Sequence, residues 1–396
     1  MEQNEDIQGS VHFGAYLRRV REGRRLSLDA VEELSTGFPE KVTKSHLSRI
    51  ENGLALPTFP RLMAMSHIYG VPIASLAERY EIELRRGMRP VELGGAADAD
   101  VLSRIAALEL EGRYDEVMVL ASALIERRSD VAALDAGQRL EIDVVRAYMF
   151  LTNALVHLGR YEFAKTLTEQ LMSVRDVPAR ERFLIQQQFI ICCYRLRRFT
   201  VALMALQQAE GQHLTSEATP IDRAKLVLVK GNVEYSLGDF EGASATYEAA
   251  LGMFTSAGAT HDACRARINL ASALAELKRF DEARDHLATA ASEAEAGSLE
   301  RLKALCYCSQ AIVAFRQGEE QRAEDLALKS NAIARPREYH SLVVRNCYYL
   351  WRVARSRGDD QGMRAAERSI RTYSARTEEF ILELEEFRNL SEREAS

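Results

Sequence analysis

Residues 43–53 read Thr-Lys-Ser-His-Leu-Ser-Arg-Ile-Glu-Asn-Gly. Leu47 and Ile50 stand three apart, the spacing of one buried helical stripe. Around that stripe lie hydroxyls, a lysine and an arginine, groups that offer hydrogen bonds and positive charge. Glu51 is lodged beside the stripe, where a carboxylate needs a partner. The surrounding charge suggests what the polar face meets. Residues 10–80 hold ten Lys/Arg against seven Asp/Glu, a net of +3. Residues 91–396 hold 39 against 46, a net of −7. A modestly basic head on an acidic body fits contact with nucleic acid.

The elements that would position this segment are helices. Phe13, Leu17 and Val20 mark one over residues 13–22, with the stem of Arg21 turned inward. Ser27 is an N-cap for a second and Thr43 for a third, which Gly53 ends. Pro60 opens a fourth that Gly70 closes, and Pro72 opens a fifth. Eight prolines and 22 glycines in 396 residues favour an all-α chain over a turn-rich β architecture.

Leu17-Arg18-Arg19-Val20-Arg21, Leu26-Ser27, Leu47 to Gly53, Pro57 and Tyr69-Gly70-Val71 together resemble the helix-turn-helix domain of the phage repressor and Cro family, the XRE class. The resemblance implies a five-helix domain over residues 10–86, preceded by a flexible tail, residues 1–9. It implies that the third helix enters the major groove of double-stranded DNA while the second crosses the backbone. Lys44, Ser45 and Arg49, with Ser48, would then reach base edges; Lys and Arg donate to guanine O6 and N7. Thr43, with the backbone amides of Ser27 and Asn52, would hold phosphates, and Lys41 could touch another. The resemblance also pairs Glu51 with Arg21 as a buried structural ion pair. Two departures stand out. The "TGFPEKV" turn before Thr43 is about four residues longer than the family's, and "LALPTFP" carries no basic residue.

Residues 87–100, rich in Gly, Ala and acids, read as a linker. Beyond them "LGRYEFAKTLTEQL", "LGDFEGASATYEAAL" and "LKRFDEARDHLATAA" are copies of one pattern. Its turns fall at 112, 159, 197, 238, 278, 318 and 358, the last four spaced by 40 residues. Such self-similarity marks a solenoid of helix pairs, here about seven hairpins over residues 101–377. Each unit has a helix of about fifteen residues, a turn, an aromatic and a second helix with a mid-helix alanine: Ala164, Ala243 or Ala283. The pattern resembles tetratricopeptide repeats, with a period longer than their usual 34 or so. Residues 378–396 are expected to form a capping helix and tail.

In tetratricopeptide arrays the first helix of each pair lines the concave face. Thirteen, nine and six residues before each turn share one helical face. Those positions carry Arg146, Lys225, Arg265 and Arg345; then Gln188, Asn269 and Ser309; then Asn153 and Asn232. Cations beside amides suit an extended peptide with acidic groups.

The whole resembles, in architecture, peptide-responsive regulators of the Rgg and PlcR type. That implies a homodimeric transcriptional regulator whose repeats sense a peptide or protein ligand. The alternative is a DNA-anchored scaffold with a constitutive protein partner. No catalytic constellation, cofactor motif or metal-ligand spacing occurs, so neither an enzyme nor a bound cofactor is expected. The six cysteines, at 192, 193, 264, 306, 308 and 347, form no C-x-x-C pair and read as small buried residues. No apolar run approaches the roughly twenty residues of a membrane span, and "MEQNEDIQGS" is too acidic for a secretory signal. A cytoplasmic protein is the expectation.

Overall fold

The computed structural model describes residues 11–88, 93–111, 113–128, 139–211, 218–377 and 381–395. Among them are twenty α-helices and no strand. The chain divides into two compact units, Met1–Leu196 and Arg197–Ser396. The expected tail over residues 1–9 and the turn at 112 lie outside the described residues.

Unit one opens with five helices: α1 (Val11–Gly23), α2 (Leu28–Leu34), α3 (Lys44–Glu51), α4 (Phe59–Tyr69) and α5 (Ile73–Met88). Local chemistry sets their ends. The Ser27 hydroxyl accepts from the Ala30 amide at 3.0 Å, and the Thr43 hydroxyl from the His46 amide at 3.3 Å. Gly70 ends α4 at φ 60°, a left-handed conformation open to glycine. Phe13, Leu17, Val31, Leu47, Ile50 and Met65 are buried in one core.

The long turn between α2 and α3 is tied down. It contains a 3₁₀ turn, Ser35–Gly37. The buried Ser35 hydroxyl accepts from the Val42 amide at 2.9 Å. Lys41 pairs with Glu32 at 3.0 Å, and Arg61 with Glu40 at 2.9 Å. Extra length therefore leaves α3 anchored at its base.

The unit continues with α6 (Asp98–Leu110), α7 (Tyr114–Arg128), α8 (Ile142–His157), α9 (Tyr161–Ser173) and α10 (Ala179–Arg195). Between α5 and α6, residues 89–92 lie outside the described residues. Helix α5 packs on α9. The Glu78 carboxylate accepts from the Phe163 amide at 2.8 Å, at the start of α9, where free amides and the helix dipole favour an anion. Arg160 pairs with Glu81 at 2.8 Å. The buried Arg79 guanidinium lies 3.9 Å from the Tyr16 ring centroid and 5.2 Å from that of Phe163.

Unit two holds α11 (Phe199–Gly211), α12 (Pro220–Ser236), α13 (Phe240–Ser256), α14 (Thr260–Glu276), α15 (Phe280–Ala296), α16 (Glu300–Arg316), α17 (Glu320–Ala334), α18 (His340–Ser356), α19 (Asp360–Ser374) and α20 (Leu382–Ala395). From α13 to α19 a helix begins every 20 residues. The backbone turns left-handed at Gly238, Gly258, Lys278, Ser298, Gly318, Glu338 and Gly358, again every 20. The period of 40 is thus two like helix-and-turn steps. The excess over an ordinary tetratricopeptide lies in the helices, most of which run 17 residues rather than the expected fifteen or so. Ala164, Ala243 and Ala283 expose no surface, as close helix approach requires. Helices α12, α14, α16 and α18 touch one another in succession, closer than their partners α13, α15, α17 and α19 do. The first helices therefore form the inner side of this unit's curvature.

Lys278 and Glu338 hold left-handed φ of 60° and 56° without being glycine. Left-handed backbone costs an L-residue about 1–2 kcal/mol. Lys278→Gly is expected to stabilise the chain by about 0.5–1 kcal/mol, after the flexibility glycine adds to the unfolded chain. Gly318→Ala should destabilise it by a similar amount; denaturant midpoints check both.

Candidate nucleic-acid interface

Helix α3 has eight residues, too few to persist alone in water. Tertiary contacts hold it. Leu47 and Ile50 enter the core. A Cβ placed on Gly14 of α1 would lie 2.3 Å from the Ile50 carbonyl oxygen, so the two backbones meet where no side chain fits. Arg21 and Glu51 lock the crossing. Arg21 Nε donates to Glu51 Oε1 at 2.7 Å, and a terminal nitrogen to Oε2 at 2.9 Å. A third Arg21 nitrogen donates to the Leu26 carbonyl at 2.8 Å. Both residues are buried, and the Glu51 hydrogen bond holds the guanidinium above its ordinary pKa.

The opposite side of α3 faces outward. Lys44, Ser45, Arg49 and Asn52 are exposed; Thr43 and Ser48 are half-buried. Lys41 and Ser27 are exposed nearby. The Asn52 amide, however, donates to the Ser48 carbonyl at 3.1 Å. It closes the C-terminus of α3, so that amide is not directed to a phosphate. The Asn52 side chain donates to the same carbonyl at 2.7 Å and accepts from Arg18 at 2.6 Å.

The sequence reading missed two acids. Lys44 Nζ pairs with Asp29 at 2.9 Å, and the Lys44 amide donates to Glu32 at 2.7 Å. That amide bond, followed by the one from Lys41, pulls the Glu32 carboxyl below its usual range. Asp29 and Glu32 are i and i+3 on α2, which was the available signal. His46, on α3, lies 2.9 Å from Arg61. Burial and then the Arg61 charge push its imidazole below the ordinary value.

Residues 12–78 match the helix-turn-helix domain family. They are a helix-turn-helix domain. No curated protein sequence matches the chain. In fold the chain is similar to a Rap protein solved with Competence and Sporulation Factor, at TM-score 0.56 and 14% identity, over 70% of this chain and 76% of that one. It is similar to aspartyl phosphate phosphatase F from Bacillus subtilis at TM-score 0.51 and 10% identity, over 94% and 96%. Bacillus thuringiensis PlcR, solved with the peptide PapR7 and DNA, matches at TM-score 0.43 and 14% identity, over 72% and 95%. The first two establish a common fold: behind the helix-turn-helix domain stands an array of tetratricopeptide-like hairpins.

The residues expected on an inner face sit on first helices, where most meet partners in the chain. In unit one, Arg146 pairs with Glu181 at 3.2 Å. Asn153 donates to Glu109 at 2.6 Å, and Gln188 to the Met149 carbonyl at 3.1 Å. In unit two, Asn269 donates to Asn232 at 3.0 Å, and Tyr247 donates to the same oxygen at 2.9 Å. Arg265 pairs with Asp262 at 3.2 Å. Burial opposes ionisation of Asp262, but His261, Arg265 and Lys225 outweigh it and hold the carboxyl low. Ser309 is buried, and Arg345 pairs with Glu383 of α20 at 3.4 Å. All six cysteines are buried and unbridged. Among the described residues, no group of side chains could hold a metal ion, and no helix is long and apolar enough to cross a membrane.

Stranding one member of a buried ion pair costs roughly 3–5 kcal/mol. Glu51→Ala should lower unfolding stability of the helix-turn-helix domain by about that amount, and Arg21→Lys by less, because the charge stays while the two-point fork is lost. His46 titrates lower in the folded chain than its unfolded value of 6.5. Its contribution is therefore present above that pH and declines as pH falls through the folded value. Melting temperatures at pH 7.5 and 5.5 should differ less in His46→Gln than in the unchanged chain.

Proposed function

We propose that the chain is a sequence-specific DNA-binding transcriptional regulator of the XRE class whose repeats take a peptide or protein ligand. The observation that carries the DNA reading is the two-sided build of α3. One side is fixed by the buried Arg21–Glu51 pair, and the other presents Lys44, Ser45, Ser48 and Arg49. Set in a major groove, Lys44 and Arg49 can donate to guanine edges, and the serine hydroxyls can donate to or accept from either base edge. Thr43, Ser27 and Lys41 stand where a flanking phosphate backbone would pass.

In the free chain Lys44 is held by Asp29, an exposed pair worth little. DNA would take over a lysine already held near its working position. A homodimer would present two α3 helices to half-sites about 34–36 Å apart. The Rap protein named above was solved with Competence and Sporulation Factor. The inner-face amides and cations support a like role for these repeats. Because α5 is bonded to α9 in the same unit, movement of the first hairpins would move the helix-turn-helix domain with them.

With operator duplexes at fixed salt, Arg49→Ala should weaken specific binding by roughly 1–3 kcal/mol and leave non-specific binding nearly unchanged. Equal loss on all sequences would assign Arg49 to the phosphates. Asp29→Asn should tighten binding by about two- to fivefold by releasing Lys44 and removing a repelling charge.

A further inference from the structure

Helix α20 packs on α18, the first helix of the last hairpin and part of the unit's inner side. Ile381 and Phe387 are buried, and Leu384 and Leu390 pack beside them, one stripe at helical spacing. The Phe387 ring stands edge-on to Trp351, centroids 5.2 Å apart. Three carboxylates accompany the stripe. Glu383, itself buried, pairs with Arg345. Glu386 accepts from the Tyr348 hydroxyl at 2.6 Å, and that hydroxyl accepts from Arg352 at 2.7 Å. Glu385 pairs at 3.5 Å with Arg197, on the first turn of the unit. A helix capping only the outer end would have no reason to reach that turn. Polar side chains also bridge neighbouring first helices of the unit. Tyr235 and Arg316 both donate to Glu276, at 2.9 and 2.6 Å.

We infer that the inner face of unit two, from Arg345 to Trp351, is a docking surface for an acidic amphipathic helix, and that α20 is its exchangeable resident. The inference rests on the reading that the repeats take a peptide, and names that ligand's chemistry: carboxylates for Arg345 and Tyr348, an aromatic ring for Trp351. Three features favour exchange. A helix of 14 residues is marginal alone. It is held by few apolar side chains, which places it at the low-stability end of the fold. It follows every other described helix, so its departure opens no other element. While seated, it neutralises Arg345 and covers Trp351, so an external helix of like chemistry must displace it.

Trp351 is the one tryptophan, which makes it a reporter. The experiment uses the full chain, its Phe387→Ala and Glu383→Gln variants, and a synthetic peptide copy of residues 381–395. Hydrogen exchange should show residues 382–395 of the unchanged chain opening at least tenfold faster than residues 340–356. Both variants should speed exchange over 382–395 alone. The peptide should bind Phe387→Ala at least tenfold more tightly than the unchanged chain, with a shift in tryptophan emission. Arg345→Gln added to Phe387→Ala should abolish that binding. Equal peptide affinity for the unchanged and Phe387→Ala chains, or binding indifferent to Arg345→Gln, would overturn the proposal. So would loss of helix throughout unit two on Phe387→Ala, which would make α20 a structural part. DNA binding measured on the same samples separates this outcome from failure of the regulator reading, because none of these residues lies in the helix-turn-helix domain.

Discussion

The buried pair between Arg21 and Glu51 is the constraint on which the outward surface of α3 depends. A helix as short as α3 has no orientation of its own. The two-point bond to α1 supplies one, and the bare backbone contact at Gly14 fixes the distance of approach. Charged partners packed this tightly are not a cheap source of stability, because both ions leave water. What they add is direction: the guanidinium fork accepts the carboxylate in few geometries. Residues on the far side of α3 are then aimed by residues that are themselves buried.

The same unit joins that domain to the first hairpins. Arg79 lies between rings of α1 and α9, while Glu78 and Glu81 bind the opening of α9. An arginine held between aromatic faces gives up little to ordering, since its plane has few ways to sit. In unit two the controlling quantity is the step of 20 residues. Like helices and like left-handed turns stack each first helix beside the next, so an inner side follows from repetition.

Much of this was legible in the sequence because local rules set it. Caps at Ser27 and Thr43, the glycines at 53, 70, 238, 318 and 358, and the alanines at 164, 243 and 283 each act within a turn or one packing contact. The turn at Lys278 showed through the repeat, whereas those at Ser298 and Glu338 were less visible, because side chains there disguise a glycine position. The inner-face residues could be placed on their helices by counting, but their partners could not. Asn232 meets Asn269, and Arg345 meets Glu383, through packing between hairpins that no local pattern encodes. Asp29 and Glu32 on one face of α2 were a local signal for a partner of Lys44, and the Asn52 amide closes the C-terminus of α3 instead of facing a phosphate.

The most direct measurement of the central claim is selection of bound duplexes from a random-sequence pool, with the full chain and with the Lys44→Ala/Arg49→Ala double variant. The unchanged chain should enrich one motif of two related half-sites about a helical turn apart, and the variant should lose its guanine positions. No enriched motif, or the same motif retained by the variant, would contradict it.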